Sequence, residues 1–360
     1  MYTQQTHYFL GANTPSGFYS IYDELIDIGS ADTLYLINDG FGSGKKAFLK
    51  AIADKMPEHG LEVELIHSPY YPDSLDAVNI PALKIAYIGG TAPQTIEARY
   101  PVAVEQYIDI CKFYNSSKIR FQKNEIMEMD RACKSLYVRA CSCISAGWGV
   151  MRELAGHILD DRIYSAVHKR AKGIIVREIP KGEKGKGKVV KRFLSAVTHQ
   201  GVVSRLDTVE GLADKVYVLD NNLGLAHYLL EDVVVAATDA GHDVIICPSI
   251  VEPDRIEHII IPTLSLAFIS VSSYLDYNGE YYRHVRLDAM AEGEKLKRYK
   301  ARMRFSRRIS NMLMQEAVDT LSDVRKLNDE LSALYDASLD TNGVDALAAE
   351  HVKMILDKKG

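Results

Sequence analysis

Several signatures of catalytic or metal chemistry are missing from this chain. It has no Ser-His-Asp order, no H-E-x-x-H and no paired C-x-x-C, so neither a triad hydrolase nor a zinc site has support. Cysteine is scarce and odd in number: Cys111, Cys133, Cys141, Cys143 and Cys247, with Cys141-x-Cys143 lacking a second pair, read as buried reduced thiols. The only tryptophan, Trp148, lies in an apolar helical run over 136–150, a packing stripe without a cofactor box. No apolar run approaches membrane-spanning length, and Met1-Tyr2-Thr3-Gln4-Gln5 has neither the basic nor the apolar region of a leader. The expectation is a cytoplasmic protein without a membrane partner. A strong excess of one charge is also missing, since the formal charge is −5, and this disfavours nucleic acid as a partner.

What is present is an internal repeat. Phe9-Leu10-Gly11-Ala12-Asn13-Thr14-Pro15-Ser16-Gly17 is echoed by Phe193-Leu194-Ser195-Ala196-Val197-Thr198-His199-Gln200-Gly201. Tyr35-Leu36-Ile37 returns as Tyr217-Val218-Leu219, and Pro72-Asp73-Ser74-Leu75-Asp76 through Pro81 returns as Pro253-Asp254-Arg255-Ile256-Glu257 through Pro262. Blocks recurring in one order point to a tandem duplication, and 360 residues suffice for two domains with a core each.

Within each copy, apolar runs alternate with helical periodicity, the pattern of parallel strands joined by crossover helices. The first copy reads as strands over 33–37, 62–67 and 84–88 with a helix over 44–56. The second reads as strands over 216–219, 243–247 and 265–271 with a helix over 225–240. Gly60 and Gly241 stand where each helix needs a left-handed cap. Long helical patterns follow, over 101–171 and 288–357, as extensions packed on the sheets or on each other. The expected organisation is a first α/β domain over 1–180, a Gly/Lys linker over 181–191 and a second domain over 192–360.

The most informative stretch follows the first strand: Asn38-Asp39-Gly40-Phe41-Gly42-Ser43-Gly44-Lys45-Lys46. A phosphate-binding loop, G-x-x-x-x-G-K-[ST], needs glycines that let backbone N–H groups close on phosphate, a lysine, and a hydroxyl for Mg²⁺. Gly44 and Lys45 match, and Gly40, Gly42 and Ser43 enrich the loop. Asp39 holds the first glycine position and Lys46 the hydroxyl position, which argues against Mg²⁺-dependent hydrolysis. In the second copy Ala226, His227 and Tyr228 replace the closing Gly, Lys and Ser/Thr, so its phosphate site is lost.

Together, Gly11-x-Asn13-Thr14-x-x-Gly17-Phe18, this loop, and Ser68-x-x-x-Pro72-Asp73-Ser74-Leu75-Asp76-x-Val78-x-Ile80-Pro81 resemble an uncharacterised bacterial family of duplicated P-loop ATPase-like proteins. The resemblance covers most of the chain. It implies two tandem P-loop NTPase-like three-layer α/β domains with parallel sheets, and ATP or another nucleotide as ligand. The chain departs from the family at Gly89, where the family has an aspartate, and at Gln94, where it has a histidine.

Other residues invite weighing. Asp73 and Asp76 lie three apart, on one face if a helical turn starts there, with His67 just upstream; Asp254 and Glu257 persist in the second copy, which favours a structural task. Asn13, Thr14 and Ser16 fit a loop that lines a pocket or caps a helix over 18–26. The segment with Lys295, Lys297, Arg298, Lys300, Arg302, Arg304, Arg307 and Arg308 is strongly basic, with charge around most of the circumference of a helix; a solvated helix face is the reading the negative overall charge favours, and a surface for nucleic acid or another anionic partner is the alternative. Two functions stay open: a nucleotide- or phosphate-binding pseudo-ATPase using Gly40, Gly42, Ser43, Gly44, Lys45 and Lys46, with Asn13, Thr14, His67, Asp73 and Asp76 around the pocket; or a weak ATPase or phosphotransferase using Lys45 and Lys46 with Asp73 and Asp76. A second copy or a related family member is a candidate partner.

Overall fold

The structure, a computed structural model, describes residues 5–90, 96–180, 185–291 and 293–359, with Lys295 described by its backbone alone. The first half contains β1 (Gln5–Phe9), β2 (Gly11–Thr14), β3 (Gly17–Ser20), β4 (Thr33–Asn38), α1 (Gly44–Glu58), β5 (Val63–His67), β6 (Leu75–Ile80), β7 (Ile85–Gly89), β8 (Glu105–Asp109), α2 (Ser116–Phe121), α3 (Lys123–Ile158) and α4 (Asp161–Glu178). The second contains β9 (Val189–Lys191), β10 (Ser195–Thr198), β11 (Gly201–Ser204), α5 (Asp207–Leu212), β12 (Lys215–Asp220), α6 (Ala226–Asp239), β13 (Val244–Pro248), β14 (Ile256–Ile261), β15 (Leu266–Val271), β16 (Arg283–Val285), α7 (Glu294–Asp336) and α8 (Thr341–Lys359).

Two six-stranded sheets share one strand order, β1-β5-β6-β7-β4-β8 and β9-β13-β14-β15-β12-β16. The sense of every neighbouring pair is the same in both, and each first crossover strand carries an irregularity, at Ile66/His67 and at Cys247/Pro248. The sheets are mixed, which corrects the expectation of parallel sheets: β6 and β14 run antiparallel to both neighbours. These are the strands of the repeated Pro-Asp block, so Asp73 and Asp76 do not share a helical turn. The proline and the short link from β5 at Ser68, where Ser68 N–H donates to the Ser74 carbonyl, make a tight return that no crossover helix could fill.

The echoed Phe-Leu blocks form two hairpins, β2–β3 and β10–β11, rather than a loop and a helix over 18–26. At each tip a threonine hydroxyl, Thr14 or Thr198, donates to the carbonyl of the closing glycine, Gly17 or Gly201, whose φ of 107° or 102° suits only glycine. The hairpins meet at the centre, where Phe9 and Phe193 exchange N–H···O bonds of 2.8 and 2.9 Å. This reciprocal pairing is what a two-fold relation between the halves requires.

The inner faces of both sheets, through Leu36, Ile66, Ile88, Cys247, Ile260 and Ile269, bury a shared core with the hairpins and with α3 and α7. The outer faces are covered by exchange. α8, from the end of the chain, lies with α1 on the first sheet, where Val344, Ala348 and Ile355 meet Phe48, Ile52 and Tyr87. α4 lies with α6 on the second sheet, where Val167, Ala171 and Ile174 meet Leu229, Val233 and Phe268. Each helical extension therefore crosses to the opposite half. α3 and α7 pack antiparallel along their lengths, tied by Arg139 with Glu316 and by Arg302 with Glu153, and Gly147 lets the backbone of α7 at Ser310 come close.

Smaller differences concern edges. β8 and β16 are edge strands within or beside segments expected to be helical or irregular, and part of the expected linker is the edge strand β9. The rest of the linker from Lys181 to Lys184 lies outside the described residues, as does Gln94. Cys111 is exposed, against the expectation of burial, while Cys133, Cys141 and Cys247 are buried. No helix among the described residues is long and apolar enough to cross a membrane.

Candidate functional site

The loop from Asp39 to Lys46 leaves the carboxyl end of β4 and opens α1, the place at which open α/β sheets bind ligands. Several of its donors are already engaged by carboxylates. Asp39 turns its carboxylate back into the loop, accepting N–H bonds from Gly40 (2.8 Å) and Lys45 (2.8 Å) and the Tyr114 hydroxyl (3.0 Å). Burial pushes the Asp39 carboxyl up against these hydrogen bonds. The backbone N–H and the hydroxyl of Ser43 both donate to one oxygen of Asp336, at 2.7 and 2.9 Å, from the last residue of α7. Two carboxylates thus sit on the amides that a phosphate would use.

The glycines are needed for close contact. A Cβ on Gly42 would lie 2.4 Å from the Tyr114 hydroxyl oxygen and 2.8 Å from Asp336, and one on Gly40 would lie 2.6 Å from the Tyr335 ring. Gly44 opens α1 against Ile110. Tyr114, Tyr335 and Asp336 close over the loop as a lid of side chains.

Lys45 does not enter the loop. Its ammonium runs past Gly89 to the Asp76 carboxylate, 3.0 Å away, and the other Asp76 oxygen accepts the Tyr22 hydroxyl at 2.9 Å. Gly89 permits this path, because a Cβ there would stand 2.8 and 2.9 Å from Lys45 Cδ and Nζ. Burial alone would raise the Asp76 pKa, but the charge and hydrogen bond of Lys45, with hydrogen bonds from Tyr22 and Ser68, outweigh it and the net direction is down. Lys46 lies over the Tyr71 ring at 3.7 Å, and Arg325 of α7 lies 4.1 Å from the same ring. Burial and then the Arg325 charge lower the Lys46 pKa.

Of the residues singled out in the sequence, the fold therefore brings together Gly40, Gly42, Ser43, Gly44, Lys45 and Asp76. It places the rest apart. Asp73 accepts a hydrogen bond from Gln200 at 3.4 Å and faces Arg205 and His199, away from the loop. His67 is buried at the meeting of the halves, with Nε2 2.9 Å from His7 Nδ1 and Nδ1 2.8 Å from the Pro72 carbonyl. Burial, then the Arg205 and His7 charges, push its pKa down to about 4. Asn13 donates to the Val197 carbonyl, and Thr14 serves the hairpin tip, so both hold the hairpins rather than line a pocket. Among the described residues no three His, Cys, Asp or Glu side chains gather to hold a cation.

The second half repeats the arrangement with different groups. Asn221 takes the place of Asp39 and accepts the Ala226 N–H at 3.0 Å. The Asp288 carboxylate accepts N–H bonds from Asn222 and Leu223, at 3.1 and 3.2 Å. Glu257 stands where Asp76 stands and accepts the Tyr274 hydroxyl at 3.0 Å. His227, in the place of Lys45, instead accepts the Ile256 N–H. The ionisable neighbour of Glu257 is His258, 3.8 Å away and kept neutral by burial, which pushes the imidazole down to about 3; burial pushes Glu257 itself up to about 7.

Sequence reasoning missed Tyr22, Tyr114, Asp288 and Asp336. Asp336 is 293 positions from Ser43, and an acid at the end of a charged helix carries no local signal of that task. Comparison with family models, curated proteins and solved structures gives no match to this chain.

Proposed function

We propose that this protein is a non-hydrolytic, P-loop-like phosphate- or nucleotide-binding protein, a pseudo-ATPase, whose first-half loop is an anion cradle held shut by its own carboxylates. The observation that carries the reading is the convergence of the Ser43 N–H and hydroxyl on one Asp336 oxygen. A carboxylate oxygen is a fair mimic of a phosphate oxygen, and a helix N-terminus offers the same donors to either. A ligand phosphate would exchange with Asp336, leaving Asp39 as a fixed part of the loop. Hydrolysis is disfavoured by the residues themselves. The hydroxyl that a Mg²⁺ site takes from the end of the loop is replaced by Lys46, which is stacked on Tyr71, and the strand-end acid is replaced by Gly89.

The test is calorimetric titration of ATP, GTP and pyrophosphate into wild type and Asp336→Asn and Asp336→Ala. Removing the competing charge should tighten binding at least tenfold, corresponding to about 1.4 kcal/mol. If no variant takes up any of the three ligands, the cradle is only a fold element and the proposal fails. Mg²⁺-dependent ATP turnover lost in Lys45→Ala would replace it with the ATPase reading.

A further inference from the structure

The basic segment of α7 belongs to neither loop. Between residues 294 and 315 the sequence holds eight lysines and arginines and a single acid, Glu294, in a chain of formal charge −5. The cations fall around most of the helix, as expected, with Arg298 and Arg302 exposed away from the face that carries most of them. Its apolar side is turned to α3, with Ser306 buried and Met303, Ile309 and Leu313 half-buried. At 3.6 residues per turn, Lys297, Lys300, Arg304, Arg307 and Arg308 fall within an arc of roughly 100° on the opposite, solvent side. Lys300, Arg304, the half-buried Arg307 and Arg308 line one open hollow with Asn311 and Gln315, and Met303 and Met312 supply its apolar part. From Lys297 to Gln315 this stripe runs about 27 Å. None of its five cations has an ion-pair partner among the described residues; Arg302, on the side turned to α3, reaches Glu153 of that helix at 3.8 Å.

Uncompensated like charges in a straight row repel one another and raise the energy of the free protein, a cost that a polyanion lying along the row removes. We propose that this stripe is a docking surface for the phosphate backbone of a nucleic acid. Cations at i, i+3 and i+4 recur about every 5 to 6 Å, a regular row suited to repeated single charges, and three of the five are arginines, whose forks take phosphate bidentately. Asn311 and Gln315 extend the face with neutral donors, which backbone contacts also use. A bilayer surface is a poorer match, because an interfacial helix needs a broad apolar face. Here that face is buried against α3, which leaves only Phe305 and Met312 exposed on one flank, at 56% and 59%.

The test is fluorescence anisotropy with a short labelled DNA duplex and a short single-stranded RNA, against Arg304→Glu/Arg308→Glu and a control of equal charge change at distant exposed sites, Lys326→Glu/Lys353→Glu. Wild type should bind one or both at about 50 mM salt, with a log–log salt slope near −4. Arg304→Glu/Arg308→Glu should bind at least tenfold more weakly and reduce the slope by about 2, while the control stays within about threefold of wild type. Circular dichroism establishes that each variant is folded, and Arg304→Gln/Arg308→Gln replaces the reversal if it is not. Absence of binding to both probes, equal loss in the control, or binding to phosphatidylserine vesicles without binding to either oligonucleotide overturns the proposal. None of these outcomes depends on the anion cradle.

Discussion

Replacing Lys45 by methionine leaves the Asp76 carboxylate, 7% exposed, without its cation, whose own side chain is 18% exposed. Breaking such a pair by removing one partner costs about 3–5 kcal/mol, because a buried charge loses its compensation. The molecule already contains the outcome. Glu257 occupies the same position on β14, accepts a tyrosine hydroxyl as Asp76 does, faces the buried, neutral His258 in place of a lysine, and is pushed up to about 7 by burial. Asp76 in the variant should rise in the same way. In wild type its pKa lies below the unfolded value, so its contribution is present above that value and lost as pH falls through the folded one. In the variant the sign reverses: stability is lost as pH rises from the unfolded carboxylate value through the raised folded one. A rise like that of Glu257 makes the penalty about 4 kcal/mol at pH 8 and less than half of that at pH 5. Urea unfolding of wild type and Lys45→Met at the two pH values measures both, and Lys45→Met/Asp76→Leu should recover most of the loss at pH 8. A gap that does not change with pH, or one below about 1 kcal/mol at pH 8, would refute the reasoning.

Two further predictions concern buried titrating groups. Glu257, with its pKa raised to about 7, contributes stability in full below the unfolded value and loses it as pH rises to 7; Glu257→Gln should gain about 3 kcal/mol relative to wild type at pH 8 and nothing at pH 4, by urea unfolding. His67, held neutral between His7 and the Pro72 carbonyl with its pKa lowered to about 4, contributes stability above the unfolded value near 6.5 that is lost as pH falls towards 4; at pH 5 wild type should have lost about 2 kcal/mol through this group, and His67→Gln should flatten that slope.

Much of the fold was legible because local signals agreed. The apolar runs at β4, β5, β7, β12, β13 and β15 and the stripes of α1 and α6 sit where periodicity places them. Gly60 and Gly241 have φ of 71° and 84° just beyond those helices. The strands that escaped had misleading surroundings. β6 and β14 follow Pro-Asp turn signals, which obscured the strands behind them. β8 is an edge strand with Gln106 and Tyr107 exposed, so it lacks the apolar run of a central strand. Asn13 and Thr14 look like pocket residues in isolation, and only the meeting of the two hairpins shows what their polar groups serve.

The chain by itself determined the repeated α/β elements and the glycine loop at the end of β4 that closes on Lys45 and Lys46, since these are properties of contiguous residues. Tertiary structure alone decided what fills that loop, because Tyr114, Tyr335 and Asp336 arrive from elements far away in sequence. It also decided that each helical extension covers the opposite sheet, that Lys45 is committed to Asp76, and that five of the α7 cations share one face turned away from α3. Each depends on which surfaces bury one another, and burial is a property of the packed chain rather than of any segment.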